Sequence, residues 1–217
     1  MPRQTDFKKS CKQCKRLASF LKQVKKQHPD YYCQPVPAFG DPDAELLIVG
    51  LAPGMHGANA TGRPFTGDAS GEMLFQTLYE FGFTSAPASI TPEDGLELYN
   101  CRITNAVKCL PPENKPQAAE INQCNSYLQV ELNRLPDRAV IIALGSIAHN
   151  AVLKALQLKR KDYPFGHAVE YTINEADKQV VLISSYHCSR YNTQTKRLTQ
   201  VMFDRVFTMA NNHLSND

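Results

Sequence analysis

Residues 45–74 read ELLIVGLAPGMHGANATGRPFTGDASGEML. The run Leu46-Leu47-Ile48-Val49 has the length and composition of one buried strand. Glycines follow at 50, 54, 57, 62 and 67, threaded with Asn59, Thr61, Arg63, Thr66 and Asp68. The stretch closes on Ala69-Ser70-Gly71-Glu72-Met73-Leu74, which reads as a helix start. A strand, a long polar glycine loop and a helix are how an α/β chain builds a ligand site at the carboxyl ends of its strands. The loop is not a P-loop, because no lysine follows its glycines, and it lacks the G-x-G-x-x-G spacing of a dinucleotide fold.

The same alternation continues on both sides. Before the loop, Leu17, Phe20, Leu21 and Val24 mark an amphipathic helix within residues 1–27. The proline-rich residues 28–42 read as an extended crossing segment. Further strands are expected over 102–107, 139–144, 169–173 and 179–183, the last holding the buried run Val180–Ile183. Helices are expected over 69–81, 117–135, 145–158 and 196–211. The last should turn Leu198, Val201, Met202, Val206 and Phe207 inward. Residues 84–98 carry no periodicity. Strands alternating with helices imply a parallel sheet with helices on both faces.

With 217 residues and 42% apolar content, the chain suits one domain spanning 1–217 with a real core. It has no run of 18 apolar residues, so no membrane helix is expected. The first residues show no apolar signal region, which makes a reducing cytoplasm the simplest compartment. The net charge of +3 says little, but Lys8, Lys9, Lys12, Lys15, Arg16, Lys22, Lys25 and Lys26 are bunched together. They form either a solvated helix face or a nucleic-acid contact.

Seven cysteines in such a chain favour metal over disulfides. Cys11 and Cys14 form C-x2-C; Cys109 and Cys124 form C-x14-C. Four thiolates suit zinc or a [4Fe–4S] cluster, and the second spacing is not that of a zinc ribbon. The plain alternative is that some are ordinary buried cysteines. Cys33 and Cys188 are left over, as is Cys101, which reads as a core residue.

Three loops carry candidate chemistry. In the glycine loop, Phe65 is an aromatic without helical or strand periodicity; it either plugs the core or offers a ring face to a base. Asp68 is either a helix N-cap or a carboxylate that orients water. Residues 184–199, SSYHCSRYNTQTKRLT, follow the last strand, which puts His187 at the same sheet end as the glycine loop. Ser189, Arg190, Asn192, Thr193, Lys196 and Arg197 are donors suited to a phosphate backbone. In ITNAVKCLPPENKP, residues 103–116, Asn105 sits where a strand disfavours asparagine, and Asn114 lies in a proline turn near Cys109.

GLAPG…TGRPFTGDASG, ITNAVKCLPPENKP and YHCSRYNTQTKRLT, with the two cysteine pairs, resemble the iron–sulfur uracil-DNA glycosylases, nearest to the type b, or family five, branch. The resemblance covers Cys11 to about Phe207. It implies a three-layer α/β/α fold with a four-stranded parallel sheet and a [4Fe–4S] cluster on Cys11, Cys14, Cys109 and Cys124. It implies excision of uracil, and of deaminated purines, by a monofunctional DNA glycosylase that initiates base excision repair. The expected partner is uracil-containing DNA, single- or double-stranded, met by a cytoplasmic, nucleoid-associated monomer with no membrane attachment.

The resemblance further implies that Phe65 stacks on the flipped base, that Asn105 reads it, and that Gly50, Ala52, Gly54 and Asn192 help enclose it. His187 would donate to the uracil carbonyl, and Asp68 and Asn114 would handle the water. Three positions depart from the wider pattern, the first of them, Ala52, in the manner of this branch. Ala52 stands where other branches place a carboxylate or amide. Cys188 stands where relatives usually have proline, and Lys196 where they usually have glycine. A catalytically weak or inactive iron–sulfur DNA-binding relative is the alternative that Cys188 motivates. A zinc enzyme of nucleotide metabolism is a third.

Overall fold

A computed structural model describes residues 7–174 and 178–215. Its centre is β2 (Leu46–Gly50), all five residues of which are buried. β2 pairs in parallel with β3 (Cys101–Asn105) on one side and with β4 (Val140–Leu144) on the other. β4 pairs in parallel with β6 (Gln179–Ser185). These four strands are the parallel sheet expected from the alternation, and their near-continuous Val, Ile and Leu reflects burial on both faces.

The sheet is nevertheless six-stranded and mixed, in the order β1-β3-β2-β4-β6-β5. β1 (Phe39–Gly40) and β5 (Val169–Asn174) run antiparallel to β3 and β6 at the two edges. The four-stranded expectation thus describes the centre alone. Two residues of β1 are too few to leave a periodic signal, and β5 alternates between half-buried and exposed positions as an edge does.

Alternate side chains of β2 feed two cores. Leu46 and Ile48 pack with Leu74, Phe75 and Leu78 of α3 (Ala69–Glu80) and Phe203 and Phe207 of α7 (Gln200–Leu214). Leu47 and Val49 face Leu128 and Leu132 of α4 (Ala118–Asn133) and Val152 of α5 (Ser146–Ala155). α1 (Lys15–Gln27) adds a smaller layer, setting Leu17 against Val107 and Tyr127, and Leu21 and Val24 against Leu110.

Some boundaries differ from expectation. β3 ends at Asn105, but the chain stays tethered beyond it: Ala106 and Val107 donate backbone N–H bonds to Gly50 and Leu51. α7 begins at Gln200, because Thr199 Oγ1 accepts from Met202 N and fixes the start there. That phase turns Phe203, Val206, Phe207 and Ala210 inward and leaves Val201 79% exposed, so Val201 is not a core residue. Two short helices were not anticipated, α2 (Ala58–Thr61) and α6 (Arg190–Gln194), the latter capped by Ser189. The irregular residues 84–98 are held against the glycine loop by Arg63, which is 7% exposed. Its guanidinium donates to Asp94 and Ser89, both at 2.6 Å. Burial works against the Asp94 carboxylate, yet Arg63 and the backbone N–H groups of Leu96 and Ile90 hold its pKa down at about 2.

Candidate active site

The loops leaving the carboxyl ends of β2, β3, β4 and β6 enclose a cavity of about 690 Å³. That volume suits a small organic ligand. Ala52, Gly54, Phe65, Asp68, Asn105 and Asn114 line it from the first half of the chain, and His187, Ser189, Arg190, Asn192 and Arg197 from the second.

Gly50 lies beneath this wall. A Cβ there would fall 2.4 Å from Asn105 Oδ1 and 2.6 Å from Phe65 Cζ. The absence of a side chain is what lets Asn105 and the Phe65 ring meet at the strand ends. Phe65 holds φ at +55°, a left-handed conformation unusual for an aromatic residue. It both packs into the core and lines the cavity.

Asp68 caps a helix and also lines the cavity. Oδ1 caps α3, accepting from Ser70 N at 3.1 Å and Gly71 N at 3.0 Å. Oδ2 lies over Gly57, where a Cβ would come within 2.1 Å of it. Burial raises the Asp68 pKa above the usual carboxylate range, the two capping N–H groups oppose the rise, and Glu72 adds to it. The second oxygen is therefore a stronger base than a solvated carboxylate.

His187 follows β6 by two residues. Burial lowers its pKa to about 4, so the imidazole is neutral at pH 7. Its Nδ1 is buried without a hydrogen-bond partner among the described residues. The backbone around it is fixed from three sides. Asn192 Nδ2 donates to His187 O at 2.8 Å, Tyr186 N donates to His167 Nδ1 at 3.2 Å, and the Cys188 thiol donates to Ser70 O at 3.4 Å. Cys188 is fully buried. Burial first, and the neighbouring Asp68 second, push its pKa up to about 12. It is thus a packed neutral thiol that ties the histidine loop to α3.

The four cysteines lie away from this cavity, around α1 and α4. Cys14 is the N-cap of α1, and Cys11, Cys14, Cys109 and Cys124 line one small cleft with Leu17, Val107 and Tyr127. Cys124 Sγ accepts from Lys108 N at 3.3 Å. Burial raises the Cys109 pKa strongly, and the charges of Cys124, Cys11 and Cys14 raise it further. Burial likewise pushes Cys124 up to about 11. Among the described residues no three His, Cys, Asp or Glu side chains close on one point as a single metal ion requires. Arg16 pins this region with a two-pronged pair to Glu120, both bonds 2.8 Å, and donates to Lys115 O at 3.2 Å.

The sequence profile described as the uracil DNA glycosylase superfamily matches residues 37–214. A relative in Thermus thermophilus, a type-5 uracil-DNA glycosylase, is 45% identical over 206 residues, which are 93% of this chain and 92% of that one. The chain belongs to the uracil DNA glycosylase superfamily. A second type-5 uracil-DNA glycosylase, from Pyrobaculum aerophilum, is 43% identical over 93% of this chain and 88% of its own. A type-4 uracil-DNA glycosylase from Sulfurisphaera tokodaii is 28% identical over 93% and 80%.

In this superfamily member the expected DNA-facing residues divide. Ser189, Arg190 and Arg197 reach the cavity, and the Arg197 guanidinium lies 4.8 Å over the Tyr186 ring. Thr193 and Lys196 are not part of the lining; Thr193 Oγ1 donates back to Arg190 O at 3.0 Å. Lys196 holds φ at +56°, the left-handed conformation that glycine takes most readily. Lining residues beyond those expected include Ser146 and Ile147 at the start of α5, Phe165, Tyr186 and His56. Gly145 before α5 repeats the strand–glycine–helix pattern of residues 45–74, which is the signal that could have placed the first two at the site.

Proposed function

We propose that this protein is a monofunctional DNA glycosylase that excises uracil from DNA, initiating base excision repair. The observation that carries the reading is the pairing of a neutral, buried-edge histidine with a near-parallel aromatic ring inside a pocket large enough for one base. Similarity to type-5 uracil-DNA glycosylases over nearly the whole chain supports the substrate.

The flipped uracil stacks on Phe65, and Asn105 and the glycine-loop backbone at Ala52 and Gly54 read its edge. As the C1′–N1 bond breaks, its electron pair moves onto the base, and negative charge collects on the carbonyl oxygens. Neutral His187 donates a hydrogen bond to that charge without having to give up a proton. A water attacks C1′ of the oxocarbenium-like sugar. Its proton passes to Asp68 Oδ2, whose raised basicity suits the task, with Asn114 on the rim helping to hold the water. None of the described pocket-lining residues is a lysine, so no amine stands there to form a Schiff base. Ser189, Arg190 and Arg197 receive the phosphates beside the flipped nucleotide, with Thr193 and Lys196 further out.

Cys11, Cys14, Cys109 and Cys124 fit a [4Fe–4S] cluster. They line one cleft, and four thiols are the donor set that such a cluster would take. When bound, the cluster would supply a cross-link between segments of the chain. The residues it joins are the start of α1, the proline turn carrying Asn114, and α4. Reduced thiols of this kind suit the cytoplasm, where the protein works on DNA as a one-domain monomer.

The test is incubation with a single-uracil oligonucleotide followed by alkali. Cleavage at the uracil is expected. DNA binding with no release of base would instead identify an inactive relative.

A further inference from the structure

The geometry points to a second nucleotide-binding feature beside the pocket: a platform of three rings, His28, Tyr31 and His56, that stacks a base next to the flipped one. This rests on the reading of the protein as a DNA glycosylase.

The rings of His28 and Tyr31 are nearly parallel, 15° apart, with centroids separated by 4.5 Å. Tyr31 Oη is hydrogen-bonded to His56 Nδ1 at 2.8 Å. His56 stands edge-on to both, 5.9 Å from each centroid. It lies in the glycine loop, lines the pocket and is exposed. The platform therefore starts at the pocket rim and extends away from it toward the end of α1. Its underside is anchored, since Tyr31 packs with Phe20 and Met55 on Leu21, Val24 and Leu110. Lys25 Nζ also bonds to Tyr31 O. The stack still meets solvent, because His28 and Tyr31 are only half-buried and His56 is exposed.

An anchored stack of polar aromatic rings beside a base-sized pocket has the chemistry of a base-stacking surface. It is tolerant of base identity, because every base has a π face. Lys22, Lys25 and Lys26 on the same helix end outnumber Asp30 and supply the charge that a phosphate backbone requires. The basic bunching noted in α1 thereby acquires a role. It carries the strand away from the pocket past the end of α1.

The experiment is a cycle of variants against substrates. Wild type, His28→Ala and Tyr31→Ala are titrated with single-stranded oligonucleotides carrying a non-cleavable abasic analogue. The nucleotides flanking the analogue either bear bases or lack one base at a time. Wild type should lose affinity on the order of tenfold when one particular flanking base is removed. Each variant should bind the intact strand more weakly by a similar factor, and should lose little more when that base is absent. Equal losses on both substrates, or none on either, would overturn the proposal. Tyr31→Phe, which keeps the ring but not the bond to His56, should lose far less affinity than Tyr31→Ala, and melting temperatures of all variants control for folding. Uracil release by wild type is measured alongside. Its absence would count against the glycosylase reading, whereas release with a flat cycle would count against the platform alone.

Discussion

The rings of Phe65 and His187 lie 24° from parallel with centroids 6.0 Å apart, although 121 intervening residues separate them in the chain. The two rings come from loops at the ends of β2 and β6, which are not neighbours but flank β4. The parallel sheet is what brings them together.

His187→Ala should lower base release by about 10²–10³-fold, the range for loss of one donor to developing negative charge, and should weaken DNA binding far less. Equal losses in single-turnover release and in affinity would reduce the residue to a positioning contact. The neutral form is the working form, so release should not fall between pH 8 and 5 through this group. Its pKa is depressed from 6.5 to about 4. The unfolded chain therefore binds the proton first as pH drops. The associated stability is complete above 6.5 and declines as pH falls toward about 4.

Asp68 allows its two oxygens to be separated. Asn at this position still accepts from Ser70 N and Gly71 N, so Asp68→Asn should fold with little loss and yet release base slowly. Asp68→Ala should lose about 1 kcal/mol of stability as well. The raised pKa means that the folded state holds the proton more tightly than the unfolded chain does. Its contribution to stability thus declines as pH rises above the usual 3.8, while activity that depends on the carboxylate rises over the same span. Loss of that acid limb in the pH–rate profile of Asp68→Asn is the check. An unchanged profile would remove Asp68 from the chemistry.

The central strands and the residues at their ends were legible because buried parallel strands are continuous apolar runs that stop abruptly at polar loops. Val49-Gly50 and Leu144-Gly145 show this directly. β1 was not legible, since two residues have no period, and the sheet was accordingly read too small. In residues 196–211 the apolar pattern alone starts the helix one turn too early, because Thr199 as N-cap sets the true start at Gln200. Residues of the candidate site were found where a motif carried them. Phe165 carried none, and only the folded loops show it at the pocket.

The phase of α7 has a measurable consequence. Val201→Ala should change stability by no more than about 0.5 kcal/mol, since the side chain is mostly in water. Phe203→Ala, at a fully buried position, should cost about 3–5 kcal/mol in chemical denaturation. The reverse ranking would mean that α7 packs with a different face toward the sheet.

Cys109→Ser should lower the melting temperature, DNA affinity and iron content together, because the thiols tie α1 and α4 to the turn that carries Asn114. Loaded wild type should be brown and contain iron; a colourless protein containing zinc would contradict the cluster. Glu120→Gln tests the same junction without touching a thiol. It weakens the hold of Arg16 and should lower stability while leaving iron content near that of wild type.

Lys196→Gly tests whether a departure from the family pattern carries a cost. A left-handed backbone costs a residue with a Cβ roughly 1–2 kcal/mol, and glycine gives back about 0.5–1 kcal/mol of that through its freer unfolded chain. Lys196 sits at φ +56°, so its replacement by glycine should stabilise the protein by up to ~1 kcal/mol. The backbone of this turn is bonded on both sides: Lys196 N donates to Thr193 O, and Leu198 N donates to Asn192 O. Asn192 in turn holds the His187 carbonyl. Relaxing the turn should therefore leave the pocket intact. The lysine's charge goes at the same time. If it meets a phosphate, the slope of log affinity against log salt should shrink by about one unit while single-turnover release is unchanged. A gain in stability with an unchanged salt slope would make Lys196 a conformational liability with no part in DNA contact. A loss in stability would mean that its aliphatic stem packs usefully on α6.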